Sequence, residues 1–514
     1  MTPFSYHTFI FPFTHKGRRK DFKQQYLLSV EEGLYEDLEP DVNKNKESYD
    51  QHQYFNQAAR NAVYTSKFDD SAVVWNYRYD IECLVTGCCD DAWYSSPRGE
   101  DNKARFIIRK GEFSASLAIN GVRLKLFNTG VGMLVFELEN YEHSTEKAIN
   151  CINEYGRRVF EPFLNEQSDT PCSVCADSIT IEYNNTPISE ASGPIGKDLA
   201  PFINYFLFGA KKPVAKSPDR KEDPCINWIV DDRMFVACIY DNADLVNRMS
   251  QWNEREQVYK YIADATQYEP GAAESTARRF YELAFVDGEG ISCYNRQMLR
   301  DLLESHTYAR WLELGTVTGI SEYSMVCVTS GLPFVSGAFL TLYVEMVMLA
   351  LAQRISLLDF EREISNISCK RKGEISQIHE EYLRFQGELL LQEVTAQQQG
   401  IELYELLLSS MFIERQQAAL EGGIRALFED NTAKNEKREN RILSILAALT
   451  VIDIFNIIGG LFFNPEAVHC WLWSLMGAKD PAGEVGYGLL VLFASVLSIV
   501  IIFCLWPRTR RKRK

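Results

Sequence analysis

The strongest constraint on how this chain can fold is a pair of apolar segments close to its C-terminal end. Ile442 to Phe463 reads ILSILAALTVIDIFNIIGGLFF, 22 residues with one charge, and Gly488 to Trp506 reads GLLVLFASVLSIVIIFCLW, 19 residues with none. Each is long enough to cross a bilayer as a helix, whose backbone polar groups are satisfied within the segment. Residues 464–487 form the connecting loop, with Pro465, Pro481, Trp471 and Trp473 suited to a membrane interface. Lys434, Lys437, Arg438 and Arg441 precede the first segment, and a basic tail over 507–514 follows the second. The excess of Lys and Arg on these flanks predicts a multi-pass membrane protein with both termini cytoplasmic.

The charge balance divides at the same place. Of 54 basic and 70 acidic residues, residues 441–514 hold 8 and 4, while residues 1–440 carry a net charge of −20. So acidic a body excludes a binder of nucleic-acid polymers, which needs a basic face against phosphates. A third apolar stretch, Phe334 to Ala352, contains Glu345. It is expected as a buried helix of the soluble part, because a third span would move the large N-terminal part outside. The thirteen scattered cysteines fit a reducing compartment. Cys172 and Cys175 make one CxxC pair without a second at zinc-site spacing, with Cys83, Cys88 and Cys89 as remote companions, so no metal site is expected.

Residues 1–330 read as an α+β cytoplasmic domain, an antiparallel sheet with helices on it. Strands are predicted at Phe106–Arg109, Glu112–Ala118, Val122–Phe127, Gly132–Leu138, Ser178–Tyr183 and Met234–Tyr240, and helix within Tyr141–Leu164. Asn120-Gly121 is read as a hairpin turn and Asn128-Thr129-Gly130 as the next turn. Tyr35–Asp50 and Lys211–Asp223 read as mobile polar stretches. Residues 331–441 read as a long helical stalk: Phe334 to Asn464 contains no proline, and Gly400 and Gly422-Gly423 are the expected breaks.

In the first membrane segment, Thr450, Asp453 and Asn456 recur at helical spacing, with Gly460 four further on. An ionisable group inside a membrane points to function, and in an oligomer such residues would line a pore with rings of carboxylates and amides. The second segment offers only Ser495 and Ser498 and should face lipid. Two spans cannot enclose a pore, so a homo-oligomer, tetramer or pentamer, is required. No P-loop, HExxH or GxSxG motif occurs, and Glu304 with His306 has no third partner nearby, so no enzyme is expected; a hydrolase hidden in the α+β domain is the remaining alternative.

An acidic α+β body, a long helix, two C-terminal spans and a basic tail resemble the CorA-like metal-ion transporter family, and Leu449–Phe455 resembles the start of that family's first span. The chain has Gly459-Gly460-Leu461-Phe462-Phe463-Asn464 where the family carries Gly-Met-Asn, the signature that selects hydrated magnesium. The stretches LKLFNTGVGMLVFELEN (124–140), RWLELGTVTGISEYSM (310–325) and LALAQRISLL (349–358) are similar to the divergent CorA effectors associated with type III CRISPR defence. That resemblance implies an effector of the bacterial plasma (inner) membrane opened by a small nucleotide messenger, such as S-adenosylmethionine joined to AMP, with no cofactor and with a divalent cation among the permeant ions. A divalent-cation transporter and a membrane-anchored scaffold are the alternatives. Arg157, Arg158 and Arg233 are the candidate phosphate donors in the acidic domain. Asp219, Asp231 and Asp232 are candidates for ribose or a sulfonium, and Asn128 and Thr129 for a base.

Overall fold

The computed structural model describes residues 2–15, 35–37, 46–64, 72–79, 103–160, 174–188, 199–208, 226–229, 231–250, 276–287, 293, 295–367 and 372–462. The chain divides into two compact units, Met1–Ile424 and Arg425–Lys514. The strands are β1 (Ser5–His15), β2 (Tyr35–Asp37), β3 (Val74–Tyr79), β4 (Ala104–Lys110), β5 (Phe113–Phe127), β6 (Val131–Asn140), β7 (Ser178–Tyr183), β8 (Thr186–Pro187), β9 (Ile226–Ile229), β10 (Phe235–Asp241), β11 (Thr307–Tyr308), β12 (Thr316–Ile320) and β13 (Ser324–Thr329). The helices are α1 (Lys46–Tyr54), α2 (Gln57–Val63), α3 (Glu146–Gly156), α4 (Pro201–Phe208), α5 (Ala243–Ser250), α6 (Thr276–Phe285), α7 (Arg296–His306), α8 (Pro333–Ala338), α9 (Val344–Ile367), α10 (Lys372–Glu388), α11 (Gln398–Ser410) and α12 (Ile413–Phe462). The α+β class holds, with one difference: the single sheet is mixed. Its path is β11-β12-β13-β10-β1-β6-β5-β4-β7-β8, and β10 runs parallel to β13. A parallel neighbour needs a crossover, and α5, α6 and α7 lie in the chain between these two strands.

β1 lies at the middle of the sheet and is covered on both faces. Phe9, Phe11 and Phe13 enter one core with Phe106, Phe136 and Phe202, while Ile10 enters the other with Met133, Val135 and Leu349. Pro12 is tolerated there because the ladder changes partner: β10 pairs with β1 up to Ile10, and β9 pairs from Phe13. Helix α3 packs on the first face and α9 on the second.

Two expected turns resolve differently. Asn120-Gly121 is not a hairpin turn: β5 is one strand of 15 residues, and its register against β6 shifts between Ile119 and Gly121. This is a β-bulge, and glycine suits it because a Cβ at Gly121 would stand 2.7 Å from a Glu137 carboxylate oxygen. The hairpin turn before β5 is instead at Gly111, with φ +55°. Within the stretch Tyr35–Asp50, read as mobile, β2 pairs with β3 and α1 begins at Lys46.

The helical region also departs from the expected breaks. Gly422-Gly423 lies inside α12, an uninterrupted helix of 50 residues. The chain turns instead at Phe412, where φ is +58°. One helical run among the described residues, Pro333–Ser365, is long and apolar enough to cross a membrane by length and composition alone. Within it Val344 and residues 346–352 are buried against the sheet. Its Glu345, 8% exposed, is paired with Lys125 and, at 2.8 Å, with Arg123; Arg123 Nε also meets Glu137 at 2.8 Å. Lys125 and Arg123 are residues of β5, so the carboxylate fastens the apolar helix to the sheet.

Two predictions follow from the packing. Glu345→Gln leaves buried Lys125 without its carboxylate and Arg123 with Glu137 alone, and should cost about 3–5 kcal/mol, read by urea denaturation. His7 is fully buried, its Nδ1 2.7 Å from Asn153 Oδ1 and its Nε2 2.8 Å from Ser5 Oγ, and burial pulls its pKa from 6.5 to about 4. The unfolded chain therefore takes up this proton first as pH falls. The contribution is complete above pH 6.5, drains away between 6.5 and about 4, and is constant below. The loss should total about 3 kcal/mol, and His7→Gln should lack that part of the pH slope.

Candidate functional site: a buried arginine–carboxylate cluster beside a cleft

Helix α3 starts at Thr145, whose hydroxyl accepts from the Ala148 N–H at 3.3 Å. It ends at Arg157, and there the chain is fastened to the approach to β10. Arg158 and Arg233 form an antiparallel bridge, Met234 N donates to Arg157 O at 2.7 Å, and Val159 N donates to Asp232 O at 3.0 Å. Backbone pairing thus gathers Arg157, Arg158, Asp231, Asp232 and Arg233, five of the sequence candidates, into one cluster.

The side chains form a closed set of ion pairs. Glu154 accepts from Arg157 with one carboxylate oxygen and from Arg158, at 2.9 Å, with the other. Arg158 reaches Asp232 at 2.8 Å, and Arg233 reaches Asp231 at 3.1 Å and Asp232 at 3.5 Å. The arginines are buried or half-buried and paired rather than presented to solvent. Three cations meet three carboxylates, so the cluster is formally neutral. Burial works against the Arg233 charge, but Asp231 and Asp232 outweigh it and hold the guanidinium above its ordinary value. For Arg157 burial wins, helped by Arg233 and Arg158, and its pKa lies below the ordinary value despite Glu154. Arg157 Nε and Nη1 have no hydrogen-bond partner, although the residue is only 3% exposed. Its Nη2 donates to Val286 O at 2.9 Å. Val286 has φ +51°, a strained conformation for a β-branched residue.

Next to the cluster, α3 and α6 border a cleft of about 220 Å³, lined by residues that include Asn150, Glu154, Tyr155, Glu282 and Leu283. Glu154 belongs to both the cleft and the ion-pair cluster. On its other side the cluster meets the turn between β12 and β13. The Arg233 guanidinium lies 3.9 Å from the Tyr323 ring centroid, and Arg354 of α9 lies 5.9 Å from the same ring. Arg354 also donates to Glu322 O at 2.9 Å. A chain of contacts therefore runs from the cleft to the apolar helix.

The remaining candidates lie elsewhere. Asn128 donates to Glu388 of α10, and Thr129 Oγ1 is 2.9 Å from Ser356 Oγ of α9, so the β5–β6 turn is engaged with the helical layer. Thr450 is exposed on α12 and donates to Ala447 O at 2.8 Å. Asp453, Asn456 and Gly460 belong to the helical backbone of α12, and their side chains lie outside the described residues. Asp219, the 211–223 loop, the 488–506 segment, Cys83, Cys88, Cys89 and Cys172 lie outside them too; Cys175 is buried. Among the described residues no group of three or more His, Cys, Asp and Glu is placed to hold a metal ion. Sequence reasoning missed Glu154, though it stands three and four residues before the two arginines, the spacing of helical Glu–Arg pairs. It also missed Tyr323 and Arg354, for which the sequence carries no local signal.

Glu154→Gln should release both guanidinium groups from their shared carboxylate, costing about 3–5 kcal/mol of the stability measured by denaturant unfolding. Arg233→Lys, which keeps the charge but loses the planar stacking on Tyr323, should cost about 1 kcal/mol. Compared with known proteins, the chain matches no family model, no curated sequence and no solved structure.

Proposed function

We propose that the protein is a membrane effector whose α+β domain senses a small nucleotide messenger and whose C-terminal helices assemble, in several copies, into a cation-permeable pore. The two apolar segments cross the membrane, and the termini are cytoplasmic. This is the activity implied by the resemblance to the CorA-like effectors of type III CRISPR defence.

The observation that carries this reading is the pattern along α12. Ile442, Leu446, Leu449, Asp453, Asn456 and Gly460 follow one another at alternating four- and three-residue steps on one helix. That spacing is the seam of a helical bundle. The seam begins apolar and becomes polar from Asp453, with Thr450 beside it. Among the described residues Ile442, Leu446 and Leu449 are each about half exposed, at 49%, 51% and 51%, and Leu443 and Ile445 beside them are exposed as well. A seam of this kind is covered by other copies of the same helix. Asp453 and Asn456 then line the bundle interior, as intramembrane polar groups do, and not the lipid. The acidic body concentrates cations near the pore mouth. On the sensing side, a messenger would have to exchange ion pairs with the arginine cluster, whose guanidinium groups are already held by Glu154, Asp231 and Asp232.

Reconstitution in liposomes tests the reading. Cation flux should appear on adding S-adenosylmethionine–AMP conjugate and be absent without it. Asp453→Ala should lower messenger-driven flux about tenfold or more while messenger binding is kept. Flux that needs no nucleotide and falls as magnesium rises would establish a transporter instead. An absence of flux under all conditions would leave a membrane-anchored scaffold.

A further inference from the structure

Where α6 ends, the chain turns in a conformation that its sequence does not favour. The Val286 N–H donates to Leu283 O at 3.3 Å, and the Asp287 N–H donates to Glu282 O at 3.0 Å. Such a pair of bonds closes many helices, and the left-handed residue within it is usually glycine. Here that residue is Val286, with φ +51°. The left-handed conformation brings a Cβ too close to the following carbonyl, and a β-branched side chain makes it worse. Such a conformation persists only where the surroundings over-determine it.

The contacts that hold it come from α3. Arg157 Nη2 donates to Val286 O at 2.9 Å, and Asn150 Nδ2 donates to Asp287 O. The Val286 side chain is fully buried. This grip leaves polar groups unserved: Arg157 Nε and Nη1 and Asn150 Oδ1 are buried without a hydrogen-bond partner. Each is a penalty that contact with water would remove. The closed turn thus combines backbone strain with three unsatisfied polar atoms, and opening relieves all of them. Two hydrogen bonds and the burial of one valine oppose the opening. Arg157 is also shared, because the same Nη2 donates to Glu154. Whatever draws Arg157 toward Glu154 weakens its hold on the turn.

The same turn borders the cleft. Glu282 and Leu283, whose carbonyls accept its two bonds, line the cleft from α6, and Asn150, Cys151 and Glu154 line it from α3. Toward the start of α6 the tie to α3 is looser, with Arg279 reaching Glu146 at 3.9 Å. The cleft of about 220 Å³ is narrower than small-molecule sites, which usually span about 300–1,000 Å³. We infer that the Val286–Asp287 turn is a strained latch: gripped by Arg157 and Asn150 it keeps the α3–α6 cleft narrow, and when the grip is lost the last turn of α6 unwinds and the cleft widens. The opening is local and leaves the pairing of the sheet intact.

Hydrogen exchange of the full-length protein in detergent, read residue by residue by mass spectrometry, tests the latch. After correction for intrinsic rates, the Val286 and Asp287 amides should exchange about tenfold or more faster than those of β1, at a rate that sub-denaturing urea does not change. Val286→Gly and Val286→Ala both lose the valine methyl groups, but only glycine also lacks the Cβ. The two turn amides should therefore exchange about fivefold or more slower in Val286→Gly than in Val286→Ala. Arg157→Lys, which loses the guanidinium fork, should speed them about tenfold; should that variant not fold, the Gly and Ala pair decides. Alkylation of Cys151 by N-ethylmaleimide, quantified on its peptide, reads the cleft and should be about fivefold slower in Val286→Gly than in Val286→Ala. A urea dependence equal to that of β1, or equal exchange in the Gly and Ala variants, overturns the latch. A difference in exchange without one in alkylation overturns the widening of the cleft.

Discussion

The architecture depends on one buried carboxylate. Pro333–Ser365 has the length and apolarity of a membrane span, and by composition alone nothing separates it from the segments near the C-terminal end. Glu345 makes the difference. In the fold it sits between Arg123 and Lys125 on β5, where two cations offset the cost of taking a carboxylate out of water. Lys125 would be stranded in the sheet if the helix left it, and Arg123 would keep Glu137 alone. Removing Glu345 leaves Lys125 buried and uncompensated and Arg123 with Glu137 alone, so the carboxylate is the member on which the group depends. With Glu345 in place, residues 346–352 complete the second core against Ile10, Met133 and Val135.

The ion-pair cluster on the other face uses the same physics for a different end. At Glu345 the charges hold one helix on the sheet. At Glu154 they join three pieces of chain: the end of α3, the approach to β10 and, through Tyr323, the turn before β13. Each member has more than one partner, so a change at one shifts the geometry of the next. Arg354 on α9 shares the Tyr323 ring with Arg233. The helix fastened by Glu345 is thus also touched by the cluster beside the cleft. Contiguity of this kind is a route for coupling, and it becomes a mechanism only if the network has two arrangements that a ligand distinguishes.

How much of this the sequence discloses depends on burial. β7 could be read to the residue, and β6 and β10 to within a few residues, because apolar runs bounded by turn residues describe them. β1 could not. It is covered on both faces, so it shows no alternation, and Pro12 argues locally against a strand; only the change of partner from β10 to β9 makes it acceptable. Asn120-Gly121 has the composition of a hairpin turn, but nothing local separates a turn from a bulge in which the strand continues past Glu137. Gly422-Gly423 misleads in the same way, because helix propensity is weak beside the cooperativity of a 50-residue helix. At the site, the residue types were legible and their assembly was not. Arg158 and Asp232 are 74 positions apart, and only the backbone bridge between Arg158 and Arg233 brings them together.

In the proposed reading, the seam on α12 ties these observations to the membrane. Its apolar residues Ile442, Leu446 and Leu449 would be satisfied equally well by lipid or by other copies of the helix. The continuation through Asp453 and Asn456 is not neutral between the two, because carboxylate and amide groups facing acyl chains cost several kcal/mol. Since both parts occupy one helical face, what covers the polar half must also cover the apolar half. Lipid cannot do both, whereas a bundle of identical helices can, packing its apolar turns together and leaving the polar turns around a hydrated centre. In the reading proposed above, the change from apolar to polar along a single face is what suits α12 to assembly into a pore rather than to insertion as a simple anchor.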